Sequence, residues 1–325
     1  MNKLVSFNSD LKSLSWEMSR SGFGEALLAG GQANKNVMAL CADLTDSIKI
    51  SAFAKAFPEQ YLEMGVAEQN MMGVAAGLAL SGKIPFVASY AVFNPGRNWD
   101  QMRVSVAYSK ANVKIIGAHA GISVGPDGAT HQALEDIAIT RVLPNVVVIV
   151  PTDIEETRKA VAAAIAHNGP VYIRFGREKV ASLTSKETPF VIGKANLLQI
   201  GSDVTICANG SLVYEALLAA EELAKHKIQA EVLVVHTVKP LDAEAILASV
   251  RKTGAIVTAE EAQVIGGLGS AVAELIGEHF PVPLKRIGVQ DSFGESGKPE
   301  ELMDKYRMRS IDIMKAVQEV IGRKQ

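Results

Sequence analysis

The chain has 325 residues, room for about two domains at ~150 residues each. Apolar residues make up 48%, enough for large buried cores. Charged residues are 21% and the net charge is −2, so composition offers no footing for nucleic acid or an acidic membrane surface.

The first residues, Met1 to Phe7, lack a long apolar signal-type stretch, and no later apolar run reaches the ~20 residues of a spanning helix. A soluble cytoplasmic protein is expected. Cys41 and Cys207 each lie in a short apolar run and read as buried thiols. Two distant thiols give neither a disulfide framework nor a metal spacing.

Helical spacing begins at residues 16–29, followed by β-rich runs at 37–42 and 61–64. A helix at 68–80, a strand at 84–88, a helix at 99–108 and a strand at 113–117 come next. Residues 131–140 read as helix, 146–150 as strand, 153–167 as helix and 171–175 as strand. The strand runs are continuously apolar, as in parallel strands covered on both faces by helices. The polar stretch 176–195, with Pro189, breaks the pattern. A second series follows, with strands at 204–208, 230–235, 255–259 and 284–287. Its helices are expected at 212–225, 243–252, 267–279 and 311–321. Asp153 and Asp242 are the N-cap signals. The fold class is therefore α/β: two domains, each a parallel or mostly parallel sheet flanked by helices. The division is residues 1–185, a linker at 186–200, and residues 201–325.

Polar residues cluster where these strands end. Glu68 follows Gly65-Val66-Ala67 and opens a helix with an apolar face. It serves either as a first-turn carboxylate complementing the helix dipole or as a partly desolvated group that partners a heteroaromatic nitrogen; position alone leaves both open. The run His119-Ala120-Gly121 to Gly125-Pro126-Asp127-Gly128-Ala129-Thr130-His131-Gln132 is more telling. Its glycines permit sharp turns and close backbone approach, and it places two histidines and an aspartate beyond the carboxyl end of a strand, where parallel sheets bind ligands. The spacing matches no standard zinc motif. Asp43 also ends a strand, as a site residue or a turn residue. Phe93, beside Asn94-Pro95-Gly96, is either a stacking platform or core. Gly266-Gly267-Leu268-Gly269-Ser270 lacks the third glycine of a dinucleotide loop and reads as close helix–strand packing.

With these residues in hand, the chain resembles the C-terminal half of a transketolase over nearly its whole length. Residues from about 12 to 180 resemble the pyrimidine-binding domain, and about 200 to 325 the C-terminal domain. The later stretch carries Thr258-Ala259-Glu260-Glu261 and Asp291-Ser292-Phe293-Gly294-Glu295-Ser296-Gly297. The resemblance implies a thiamine diphosphate enzyme of the pentose phosphate pathway type that moves a two-carbon ketol unit from a ketose phosphate to an aldose phosphate. It implies that Glu68 bonds the aminopyrimidine N1′, that Phe93 stacks on that ring (Tyr90 being the next choice), and that Asp43 lies near the thiazolium and the subunit contact. His119, Asp127 and His131 would bond sugar hydroxyls, with Glu68, His119 and His131 as the catalytic set. Arg20, Ser47 and Arg177 match the positions that hold substrate phosphate.

Ala67 and Gln69, flanking Glu68, depart from many transketolases and are closer to deoxyxylulose-phosphate synthases and 2-oxoacid dehydrogenase β subunits. The Asp-Gly-Ala-Thr-His loop and the phosphate positions favour transketolase. The family's Gly-Asp-Gly motif, which holds Mg²⁺ and diphosphate, is not in the sequence. The resemblance therefore implies no metal ligands here, a separate N-terminal, diphosphate-binding subunit, and a heterotetramer of two such pairs. The competing expectations are a subunit of a deoxyxylulose-phosphate-synthase-like or 2-oxoacid dehydrogenase β-like enzyme, and a non-catalytic scaffold homodimer.

Overall fold

The computed structural model describes residues 4–324, which form three sheets. The first part of the chain contributes β1 (Trp16–Met18), α1 (Ser19–Ala33), β2 (Val37–Cys41), α2 (Ser51–Ala56), β3 (Tyr61–Glu63), α3 (Glu68–Leu80) and β4 (Ile84–Tyr90). It continues with α4 (Trp99–Gln101), β5 (Lys114–Ala118), α5 (Asp136–Arg141), β6 (Val147–Ile149), α6 (Ile154–Ala166), β7 (Val171–Arg174) and β8 (Lys179–Ala181). The second part adds β9 (Asn196–Gln199), β10 (Val204–Ala208), α7 (Leu212–Lys225), β11 (Ala230–Val234), β12 (Thr237–Lys239) and α8 (Ala243–Thr253). It ends with β13 (Ile256–Gln263), α9 (Leu268–His279), β14 (Leu284–Val289), α10 (Pro299–Lys305) and α11 (Ser310–Ile321).

The larger sheet has the order β12-β6-β7-β5-β4-β2-β3, parallel except for β12 at its edge. The smaller has the order β14-β13-β10-β11-β9, parallel except for β9. β2, β5, β7, β10 and β11 are buried at every position, which is why their largely apolar runs show no in–out alternation, although Lys114, Arg174 and Glu231 are buried among them. Asp153 caps α6 by accepting the Glu156 N–H at 2.9 Å, and also holds the Thr184 N–H and hydroxyl at 2.6 Å. Asp242 caps α8 through the Ala245 N–H at 3.2 Å.

Several elements differ from the sequence expectation, each because a tertiary partner overrides local preference. Residues 16–18, expected as helix, pair antiparallel with β8. The helix expected over 131–140 begins only at Asp136, because the preceding residues turn to close the Gly-rich loop. The expected linker 186–200 contains β9, an edge strand of the second sheet. β12, short and without a sequence signal, leaves the second part of the chain to join β6 of the first sheet. The strand expected at 255–259 runs on to Gln263, carrying Glu260 and Glu261. Gly267 and Gly269 serve the close packing read from the sequence. A Cβ on Gly267 would stand 2.1 Å from Glu260 Oε2, and one on Gly269 would stand 2.8 Å from Thr258 Oγ1. Cys41 and Cys207 are both buried and free. Among the described residues no helix is long and apolar enough to cross a membrane.

Candidate active site

Because β3, β2, β4, β5 and β7 are neighbouring parallel strands, or lie one strand apart, their carboxyl ends open on one edge of the sheet. That edge receives Asp43 after β2, Glu68 after β3, Tyr90 at the end of β4, His119 after β5 and Arg177 after β7.

Glu68 is the first residue of α3 and is only 4% exposed. Its Oε1 and Oε2 accept Arg97 Nη1 at 3.1 and 3.3 Å. The same guanidinium lies 4.0 Å over the centroid of Phe93. The loop between β4 and α4 that holds both residues is built by two fully buried asparagines. Asn94 Nδ2 donates to the carbonyls of Val87 and Ile116 at 3.1 and 3.0 Å. Asn98 Nδ2 donates to Asn94 Oδ1 at 3.0 Å and to the Glu68 carbonyl at 3.1 Å. Phe93 is half-buried rather than core.

His119 is 2% exposed and sits at φ 52, a left-handed conformation that costs a non-glycine residue strain. Tyr90 stacks on it with ring centroids 4.0 Å apart, and His119 Nε2 lies 3.3 Å from Arg20 Nη1. Its Nδ1 is buried without a hydrogen-bond partner. Burial, then the charges of Arg20, Arg177 and His131, push its pKa down to about 3. His131 lies edge-on to Phe93 at 5.4 Å and to Tyr90 at 6.1 Å, with Nδ1 held by Thr130 Oγ1 at 2.9 Å.

Arg20 donates to the Ser47 carbonyl at 2.8 Å and leans on Met18 Sδ. No carboxylate of the described residues forms an ion pair with it, and burial together with Arg177 disfavours its charged form. Arg177 donates to the Val124 carbonyl at 3.1 Å and to Asp127 Oδ1 at 3.3 Å. The Gly-rich loop is pinned from the second domain. Gln132 Nε2 donates to the Ile122 and Glu295 carbonyls at 3.0 and 2.9 Å, and Glu261 Oε1 accepts the Ser123 N–H at 2.7 Å.

The structure thus links Phe93, Tyr90, His119, His131, Arg20 and Ser47 through direct contacts and joins Glu68 to them through Arg97, with Arg177 and Asp127 paired beside them. Asp43 stands apart. It is exposed, at φ 58, and only its backbone N–H is tied, to Glu63 Oε1 at 2.8 Å. Sequence reasoning missed Arg97, Asn98 and Gln132 as parts of the site. The signal available was a lone cation and an amide beside Asn-Pro-Gly, which means little until Glu68, 29 positions away, is placed against them. Among the described residues, no group of three or more His, Cys, Asp or Glu could hold a metal ion.

Comparison with known proteins shows the family of both parts of the chain. Residues 17–182 match the model of the transketolase pyrimidine-binding domain, and residues 193–313 that of the transketolase C-terminal domain. The chain is 48% identical over 305 residues to the 6-deoxy-6-sulfo-D-fructose transketolase subunit SqwH of a Clostridium species, covering 94% of this chain and 95% of that one. It is 46% identical over 303 residues to a putative transketolase C-terminal section from Methanocaldococcus jannaschii, covering 92% and 95%. A solved structure described as a split gene transketolase, inactive beta4 tetramer, superposes with a TM-score of 0.90 at 48% identity, covering 95% of this chain and all of that one.

Proposed function

Since the chain belongs to the transketolase family, as a C-terminal subunit of the split kind, we propose that it transfers a two-carbon ketol unit from an anionic ketose to an aldose phosphate. The observation that carries the substrate class is Arg20. It is a partly buried guanidinium without a carboxylate partner, held 3.3 Å from His119 and close enough to Arg177 to feel its charge. Arg177 is paired with Asp127, so Arg20 is the cation left for an anionic group, and the guanidinium fork suits a phosphate or a sulfonate.

Transketolases depend on thiamine diphosphate, and the residues here fit its aminopyrimidine end. The fit is supported by Arg97, a planar N–H donor whose guanidinium carbon lies 4.0 Å from the Phe93 centroid and whose Nη1 donates to Glu68. A planar ring with a protonated nitrogen makes the same two contacts. When bound, the cofactor supplies a carbon nucleophile and an electron sink for cleaving the bond beside a ketose carbonyl. Glu68, almost wholly shielded from water, would hold the proton on the ring nitrogen. Phe93 presents a ring face, and Tyr90 backs His119. His119 is neutral and offers Nδ1 to a sugar hydroxyl, and His131 offers Nε2, its Nδ1 being taken by Thr130. Arg20, Arg177 and the Ser47 segment orient the anionic end. Asp127 positions Arg177, and we assign it the sugar-hydroxyl contact that the family resemblance implies. Asp43, at the exposed rim, is assigned to the subunit contact.

The diphosphate and Mg²⁺ side is assigned to a separate N-terminal chain, with two pairs forming a heterotetramer. The test is a pull-down of this chain from its native extract, followed by a ketol-transfer assay with thiamine diphosphate and Mg²⁺. Donors are a ketose phosphate, a ketose sulfonate and, as the synthase and dehydrogenase control, pyruvate. Turnover only with a co-purifying chain that carries Gly-Asp-Gly, and only with a ketose donor, supports the reading. Absence of both a partner and cofactor-dependent turnover leaves the self-assembled scaffold.

A further inference from the structure

A cavity of about 460 Å³ is lined by residues of both domains, and Glu68, Phe93, Arg97, His119 and His131 are not among them. It opens at the carboxyl end of β10, the strand of the smaller sheet from which the chain crosses to β11 on one side and returns to β13 on the other. In an open parallel sheet such a switch point leaves a crevice, and ligands bind there. The N-terminus of α7, a 14-residue helix, faces the same space, and its N-cap Ser211 makes no capping bond. The Ser211 hydroxyl is turned away to Glu261 Oε2 at 2.6 Å.

The independent observation is Asn209, which lines the cavity directly after β10. It is 1% exposed, yet neither its Nδ2 nor its Oδ1 has a hydrogen-bond partner. A buried amide left unpaired on both sides costs free energy that a bound molecule would recover. Thr152, on the opposite domain and 2% exposed, also lines the cavity. Trp16 and Tyr214, which also line the cavity, meet edge-to-face at 5.1 Å and offer aromatic surface.

The charges indicate what fits. The charged groups on the cavity wall that are buried or partly buried are already spent within the protein. Arg174 is bound to Asp136, Arg309 to Glu215, and Glu261 to Ser123 and Ser211. The remaining charged lining residues, Glu178, Lys179 and Glu300, are exposed and of mixed sign. Nothing inside therefore selects an ion. An asparagine with both polar atoms free presents a donor beside an acceptor, which complements a molecule with an adjacent acceptor and donor, as on a lactam, a primary amide or a nucleobase edge.

We propose that this interdomain crevice is a second binding site, for a small uncharged planar molecule whose amide-like edge pairs with Asn209. The cavity volume falls within the ~300–1,000 Å³ range of small-molecule sites. The test is calorimetric titration of the full-length chain with uracil, nicotinamide and adenine up to millimolar concentration. At least one is expected to bind saturably, with Asn209→Leu weakening it tenfold or more and Thr152→Val severalfold. If Asn209→Leu does not fold, Thr152→Val is read in its place. No saturable binding by any of the three overturns the proposal. So does binding that both variants leave unchanged, as binding at Phe93 and Glu68 would be.

Discussion

Arg97 grips both carboxylate oxygens of Glu68, at 3.1 and 3.3 Å, while its guanidinium covers the Phe93 ring at 4.0 Å. Glu68 is 4% exposed and Arg97 about half, so the pair joins a desolvated carboxylate to a cation that can swing into water. A ring bound between Glu68 and Phe93 has to displace it.

Arg97→Ala is therefore expected to have two opposite signs. Without cofactor, leaving Glu68 buried and unpaired costs about 1–3 kcal/mol and lowers the melting temperature. In the assembled enzyme the same change removes a competitor for Glu68 and tightens thiamine diphosphate binding. Melting curves and a cofactor titration check both, and weaker cofactor binding would show that Arg97 is a ligand rather than an occupant.

Glu68→Gln keeps the shape and removes the charge. Ketol transfer by the assembled pair is expected to fall by two or more orders of magnitude, with assembly unchanged by size-exclusion chromatography. Turnover near wild type would remove Glu68 from the chemistry.

For Arg20→Ala we expect KM for the anionic ketose to rise about tenfold, which is roughly 1.4 kcal/mol, with a smaller rise for Arg177→Ala because Asp127 shares that guanidinium. Arg20→Lys should recover only part of the loss, since an ammonium lacks the fork. Unchanged KM values for donor and acceptor in both alanine variants would withdraw the anion-binding assignment.

Burial first, then Arg20, Arg177 and His131, hold the His119 pKa at about 3, against 6.5 for a free imidazole. Between those values the unfolded chain takes up a proton that the folded chain refuses. The neutral ring's contribution is thus fully present above about 6.5 and is lost as pH falls toward 3. Glu156 and Glu260, both raised to about 7 by burial, act in the opposite sense between about 4.5 and 7. The informative quantity is the difference between wild type and His119→Asn, whose stability should decline less on acidification from pH 6.5 to 4. Parallel curves would refute the neutral, buried imidazole.

Asp136 and Arg174 form a fully buried pair at 2.8 Å, and Arg174 Nη2 reaches across to the Glu261 carbonyl at 2.6 Å. Asp136→Ala strands that guanidinium and should cost about 3–5 kcal/mol, read as a large drop in thermal midpoint. A drop no larger than that of a surface substitution would show that the guanidinium finds water or another acceptor.

The sequence by itself determined the elements whose pattern is local. Buried parallel strands impose continuous apolar runs, and α3 and α7 impose a helical period, so α3, β10 and α7 begin and end where the residues say they do. It also marked Glu68, Phe93, His119 and His131, because polar and aromatic groups at strand ends and on a Gly-rich loop stand out against an apolar background. It gave no sign that β12 crosses to the other sheet or that Gln132 and Glu261 brace the Gly-rich loop, since those partners lie far away along the chain. Nor could it pair Arg97 with Glu68, leave Asp43 at the rim, or show Asn209 unpartnered in a crevice. Which polar groups meet, and which are left without a partner, depends on how separate strand ends converge in space. Only the tertiary structure decides that.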